Sequence, residues 1–162
     1  MNASIYRVAN QAVSSTGVFS KDAGGPAPMG PGVERGIPGN KESIRFWETY
    51  RPIIRHNNEI FQESKFLFVD TAVFRVFGFP LINGNPSSVF STPNSVVISH
   101  RSPRKYFQDK DPDRQGACIQ RLSGGGEIPF TVTGVFKDLP TNTALQFQFS
   151  CVFQGDRKTQ TR

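Results

Sequence analysis

Apolar positions are sparse and irregular over the first part of this chain and fall into short, well-formed runs from Glu59 onward. Phe66-Leu-Phe-Val69 is a continuous apolar run of strand length, which predicts a strand buried on both faces. Asp70 then stands at an N-cap position. Val73, Phe74, Val76 and Phe77 recur at helical spacing, and Gly78 closes the segment as a helix C-terminus should. Asn83-Gly84-Asn85-Pro86 predicts a turn, and Ser95-Val-Val-Ile98 predicts a strand. Ser102-Pro103 has the form of a cap with proline at the first helical position, leading a short helix through Phe107. Further on, Ala117 to Leu122 and Ile128 to Phe136 flank Ser123-Gly-Gly-Gly126, the composition of a hairpin loop. Alternation puts Phe130, Val132, Gly134 and Phe136 on one face of the second strand, with Thr131 and Thr133 on the other. Leu145-Gln-Phe-Gln-Phe-Ser-Cys-Val-Phe153 alternates most regularly and predicts a half-buried strand, before a polar tail at 154–162.

Earlier signals are weaker. Ile5-Tyr-Arg-Val-Ala9 predicts a short opening strand, Ile44-Arg-Phe-Trp47 a second, and Ile53-Ile54 an extension beyond Pro52. Between Ser14 and Asn40, Gly24-Gly25-Pro26 and Pro31-Gly32 act as breakers, so a long loop or a weak helix around Met29 to Gly36 is all that stretch supports. Gly32 and Gly36 would each cost such a helix about 0.5–1 kcal/mol relative to alanine.

The 162 residues fit one domain, or one domain of two small lobes, and fifteen phenylalanines supply much of the core material. Nineteen Lys and Arg against thirteen Asp and Glu give a formal charge of +6. The cations are scattered, except at His100-Arg-Ser-Pro-Arg-Lys105 and Arg157-Lys158, and neither cluster carries the interleaved aromatics of a nucleic-acid platform. No nucleic-acid partner is therefore expected. No apolar run is long enough to span a membrane, and the N-terminus lacks the apolar core of a signal peptide.

Searches for chemistry lead to binding or structural roles rather than catalysis. His56 and His100 have no helical partner or nearby cysteine, so no metal site is expected. Gly124 to Gly126 runs into a strand rather than a helix, which favours a hairpin over a phosphate cradle. Asp109, Asp111 and Asp113 resemble half of a calcium loop, but Lys110 and Arg114 alternate with them and the glycine and terminal glutamate are missing. Cys118 and Cys151 fit neither redox nor zinc spacing, and Cys151 reads as a buried thiol in step with Phe147 and Phe149. No catalytic residue and no cofactor is expected.

One ordered series of segments carries more. It runs Phe68-Val-Asp70, Phe74-Arg-Val-Phe77-Gly-Phe79-Pro80-Leu81-Ile-Asn-Gly84-Asn85-Pro86, Pro93-Asn94-Ser-Val-Val-Ile98, Lys105-Tyr-Phe107, Asp111-Pro112 and Thr131-Val-Thr-Gly134-Val-Phe-Lys137-Asp138-Leu-Pro140-Thr-Asn142. This series resembles the MacB-like periplasmic core domain of ABC transporter permeases in the FtsX/LolE/MacB superfamily. The likeness covers about residues 4 to 153, and it implies an α+β domain. A porter-like lobe would come from about 1–57 and 129–153, and a smaller, inserted Sabre-like lobe from about 58–128. Asp70, Phe74, Phe77, Phe79, Pro80, Gly84, Asn94, Gly134, Asp138, Pro140 and Asn142 are the residues matching its motifs, and caps, turns and core explain them best.

The resemblance further implies a fragment of an integral permease at the periplasmic face of the inner membrane. It would act as a dimer, with ATP hydrolysed by a separate nucleotide-binding subunit or domain. A periplasmic adaptor or outer-membrane channel is a further implied partner. The domain would pass ATP-driven motion to substrate or partner proteins. Two other classes stay open at this point: a free-standing extracytoplasmic ligand-binding or sensor domain with a pocket between lobes, and a hydrolase without a familiar motif.

Overall fold

A computed structural model describes residues 4–26, 28–49, 51–102, 106, 118–123, 126–143 and 145–152. The chain divides into two units, Met1–Ser43 and Ile44–Arg162.

In the first unit, β1 (Asn10–Val13) pairs antiparallel with β2 (Phe19–Asp22), and α1 spans Met29–Gly36. Gly17, with φ of 79°, turns the chain between the strands, and the Val18 N–H donates to Ser14 Oγ across the turn. The stretch expected to be a loop or weak helix therefore holds one strand and one helix. The opening strand expected at Ile5–Ala9 does not form, and the first pairing starts at Asn10. A strand needs a partner for its backbone groups. Ile5, Tyr6 and Val8 instead lie exposed in irregular backbone.

The second unit is built on a nine-stranded mixed sheet. Its strands are β3 (Phe46–Thr49), β4 (Ile53–His56), β5 (Glu59–Gln62), β6 (Phe66–Val69), β7 (Leu81–Asn83), β8 (Ser95–Ser99), β9 (Cys118–Ser123), β10 (Gly126–Phe136) and β11 (Phe149–Val152). Their spatial order is β3-β6-β11-β8-β10-β9-β4-β5, with β7 also on β10. A short helix, α2 (Val73–Phe77), follows β6. The sheet takes strands from all three of the stretches assigned above to the two lobes. The architecture is α+β with a mainly sheet core, as the resemblance implies.

Both faces of the sheet centre carry apolar cores. Phe66, Val96, Ile98, Phe130, Val132, Val135 and Cys151 fill one, while Leu67, Val69, Val97, Phe136 and the α2 residues Val73 and Phe74 fill the other. The continuous apolar runs of β6 and β8 thus bury both faces, as their lack of alternation predicts. Gly78 closes α2 in the left-handed conformation (φ 63°), again as expected.

Three readings need correction. Phe130 and Phe136 do not share a face, because a bulge between Val132 and Gly134 shifts the register against β8 and puts Phe136 in the opposite core. The alternating run from Leu145 yields a strand only at Phe149–Val152. That strand lies between β6 and β8 with Ser150 and Cys151 wholly buried, so an interior position overrides the half-buried pattern. A hairpin turn at Asn57-Asn58, with Asn57 at φ 53°, also creates β5, which the pattern did not separate. Of the helix expected from Ser102 through Phe107, only Ser102 and Tyr106 lie among the described residues. The last turns of the hairpin loop, Gly124 and Gly125, lie outside them, as do the Asp109–Asp113 run and the polar tail.

Candidate functional site

Some of the motif residues meet around α2 and where the turn after β7 crosses β10. Phe74, Phe77 and Phe79 form an aromatic layer there. Phe77 stacks on Phe79 with ring centroids 5.3 Å apart, and Phe74 meets Phe79, Phe90 and Phe136 at 5.7–6.2 Å. Phe147 closes the layer against Phe79 and Phe136. Offset and edge contacts of this kind add about 0.5–1.5 kcal/mol per pair to simple burial. Pro80 enters through its backbone, its carbonyl accepting from the Lys137 N–H at 2.9 Å.

Asp70 does not cap α2. The N-cap residue is Ala72, with no side-chain cap bond, and the Asp70 carboxylate serves Arg45 instead. Arg45 donates to it from its backbone N–H (2.8 Å), Nε (2.9 Å) and Nη2 (2.6 Å). A carboxylate has lone pairs for several donors, and a guanidinium two donors in one plane; the match is stronger than a single cap bond. Arg45 is a functional partner that sequence reading missed, because its contact is 25 residues away in sequence.

Gly84 and Gly134 explain each other. A Cβ on Gly84 would lie 2.8 Å from Val89 Cγ1 and 3.0 Å from the Thr133 carbonyl, and Gly84 has φ of 93°. One on Gly134 would meet the Asn83 carbonyl at 3.0 Å. The turn after β7 thus crosses the β10 bulge at a separation only two glycines allow. Asn94 adopts the left-handed region (φ 57°) ahead of β8, and its carbonyl accepts the Thr131 N–H at 2.9 Å. Asp138 accepts the Arg101 N–H at 3.3 Å and pairs with its guanidinium at 3.2 Å. The Pro140 carbonyl gathers Thr143 N, Thr143 Oγ1 and Gln146 Nε2, closing a turn in which Asn142 is exposed. In all, the structure brings the three phenylalanines together and pairs Gly84 with Gly134, while Asp70, Asn94, Asp138, Pro140 and Asn142 sit at separate turns.

One buried polar contact escaped the sequence reading. Glu63 follows β5 and is almost fully buried, with the Tyr106 hydroxyl donating to its carboxylate and Phe61 packed edge-on to the Tyr106 ring at 4.6 Å. Burial, first, and the Glu63 carboxylate, second, push the Tyr106 hydroxyl far above its ordinary range. Among the described residues no group of three or more His, Cys, Asp or Glu side chains could hold a metal ion. His56 is half-buried in β4 and His100 is exposed after β8. Among the described residues the arrangement is a nine-stranded sheet whose turns are held by hydrogen bonds, ion pairs and packing.

No protein-family model and no curated sequence matches the chain. Solved structures do. A domain assigned to a permease protein from Porphyromonas gingivalis superposes with a TM-score of 0.64 at 24% identity, over 76% of this chain and 51% of that one. The periplasmic region of MacB from Actinobacillus actinomycetemcomitans superposes with a TM-score of 0.53 at 18% identity, over 76% of this chain and 53% of that one. The chain therefore shares the fold of these two solved structures and spans about half the length of each.

Proposed function

We propose that this chain is an extracytoplasmic domain of an ABC transporter permease, coupling ATP-driven conformational change to the export or extraction of substrate through partner binding. The single observation that carries the reading is the fold shared with a permease domain and with the MacB periplasmic region over three quarters of the chain. The sheet supports it physically. Cores on both faces and turns held at Gly84–Gly134, Arg45–Asp70 and Arg101–Asp138 give a densely packed body, which suits the transfer of force. In this reading the module is non-catalytic, the permease is a dimer in the inner membrane, and a separate nucleotide-binding subunit or domain supplies the ATP hydrolysis. A periplasmic adaptor or outer-membrane channel completes the path. The motif residues act by holding the fold.

Purification of the full-length protein from its host tests this. The expected result is recovery from the membrane fraction together with an ATP-hydrolysing subunit or domain. Recovery as a soluble protein without ATPase activity overturns the proposal and favours a ligand-binding or sensor domain.

A further inference from the structure

Asn83 ends β7 and is the sequence's only asparagine followed by glycine. That dipeptide has a chemistry of its own. The Gly84 nitrogen, on losing its proton, can attack the Asn83 side-chain carbonyl carbon, because glycine has no Cβ to crowd the approach. A bond forms from that carbon to the Gly84 nitrogen, the bond to the side-chain amide nitrogen breaks, and ammonia leaves. Water then opens the resulting succinimide ring at either carbonyl, leaving aspartate or isoaspartate. One water enters for each ammonia lost, and no oxidant or cofactor takes part. Asn85 cannot follow this route, since the nitrogen of its neighbour Pro86 has no proton to lose.

The fold opposes the first step. Ring closure swings the peptide between Asn83 and Gly84 out of the extended conformation that a strand imposes. Asn83 lies in register with Val135 of β10, and Leu81 with Phe136. The Pro80 carbonyl accepts the Lys137 N–H at 2.9 Å, which holds the start of β7 to the same strand. Beyond Gly84, the Asn85 carbonyl accepts the Ser88 and Val89 N–H groups, each at 2.9 Å. Thr133 Oγ1 donates to the Val89 carbonyl at 2.6 Å, so both sides of the dipeptide are tied to β10. The Asn83 carbonyl lies only 3.0 Å from where a Cβ on Gly134 would stand. Water is not what is lacking, because Asn83 is half-buried and Gly84 is exposed.

We propose that Asn83 is a deamidation site that the folded turn holds unreactive, so that the modification marks chains in which β7 has opened from β10. The isoaspartate product carries one additional main-chain carbon, and the crossing of Gly84 over Gly134 has no room for it. A chain modified in this way does not rebuild the turn. The inference stands independently of the transporter reading.

The test is peptide mapping by mass spectrometry of the whole chain after incubation in mildly alkaline buffer, with and without guanidinium chloride. The folded rate is the unfolded rate multiplied by the fraction open, so Asn83 should react at least about tenfold more slowly without denaturant. Gly134→Ala, which presses on the Asn83 carbonyl, should speed the folded reaction at least about threefold, with circular dichroism checking that the chain folds. If that variant does not fold, Thr133→Val, which removes the bond to the Val89 carbonyl, should speed it about twofold. The isoaspartate form, separated by chromatography, should unfold at a lower denaturant concentration than the parent chain. Equal rates with and without denaturant, an Asn83 no faster than Asn94 or Asn142 in denaturant, unchanged rates in the folded variants, or an isoaspartate form as stable as the parent would each overturn the proposal.

Discussion

Gly84 and Gly134 meet where the turn after β7 crosses β10, and the cost of a side chain there differs from its cost at a glycine in open space. At Gly84 a methyl group would collide with Val89 and the Thr133 carbonyl while forcing a left-handed backbone, so Gly84→Ala should cost about 2–3 kcal/mol in urea unfolding. Gly78 has a similar backbone but nothing within 4 Å, and Gly78→Ala should cost only about 1 kcal/mol. Ser150 makes the converse case. Its Oγ is fully buried in β11 with no hydrogen-bond partner among the described residues, so Ser150→Ala should leave stability unchanged or raise it by up to about 1 kcal/mol. A loss of more than about 1 kcal/mol would sink that account. Tyr106 adds a pH dependence with a definite sign. Its folded value is raised above the ordinary 10.0, so the stabilisation is complete below pH 10.0 and falls as pH rises above it. Denaturation midpoints compared at about pH 8 and about pH 11 should show this decline, and Tyr106→Phe should remove its share of the slope. That variant should also lose about 1–3 kcal/mol at the lower pH, where Glu63 loses a buried donor.

At the scale of elements, one ion pair joins the ends of β6 and β3. Asp70 immediately follows β6, and Arg45 immediately precedes β3, which pairs with β6. The pair is a fifth to a third exposed, so its value lies below that of a fully buried one. Asp70→Ala should cost about 1–2 kcal/mol by chemical denaturation, and Asp70→Asn less, because it keeps an acceptor for the Arg45 N–H. An equal loss in both variants would show that the charge, and not the backbone bond, holds the strand. The position of α2 was legible from apolar spacing and Gly78, since those signals are local. The use of Asp70 was not, since a carboxylate at an N-cap position looks the same in sequence whether it serves a helix or a distant arginine.

For the molecule as a whole, burial divides the chain unevenly. β1 and β2 are exposed throughout and α1 buries no residue, whereas every residue of β8 is buried between neighbours on both edges. Amide exchange should therefore be slowest in Ser95–Ser99 and approach unprotected rates in Asn10–Val13 and Phe19–Asp22. Comparable protection of the two groups would contradict this division. The sequence by itself determined that Phe66–Val69 and Ser95–Ile98 lie in buried strands, that α2 ends at Gly78, and that Gly84 stands at a turn, because those depend on contiguous apolar burial and on backbone freedom at single residues. Only the tertiary structure decided the order of nine strands, the bulge that sends Phe136 to the opposite core, the burial of Ser150 and the Glu63–Tyr106 contact. Each of those joins residues far apart along the chain, and a pattern of local polarity carries no information about which distant strand will lie alongside.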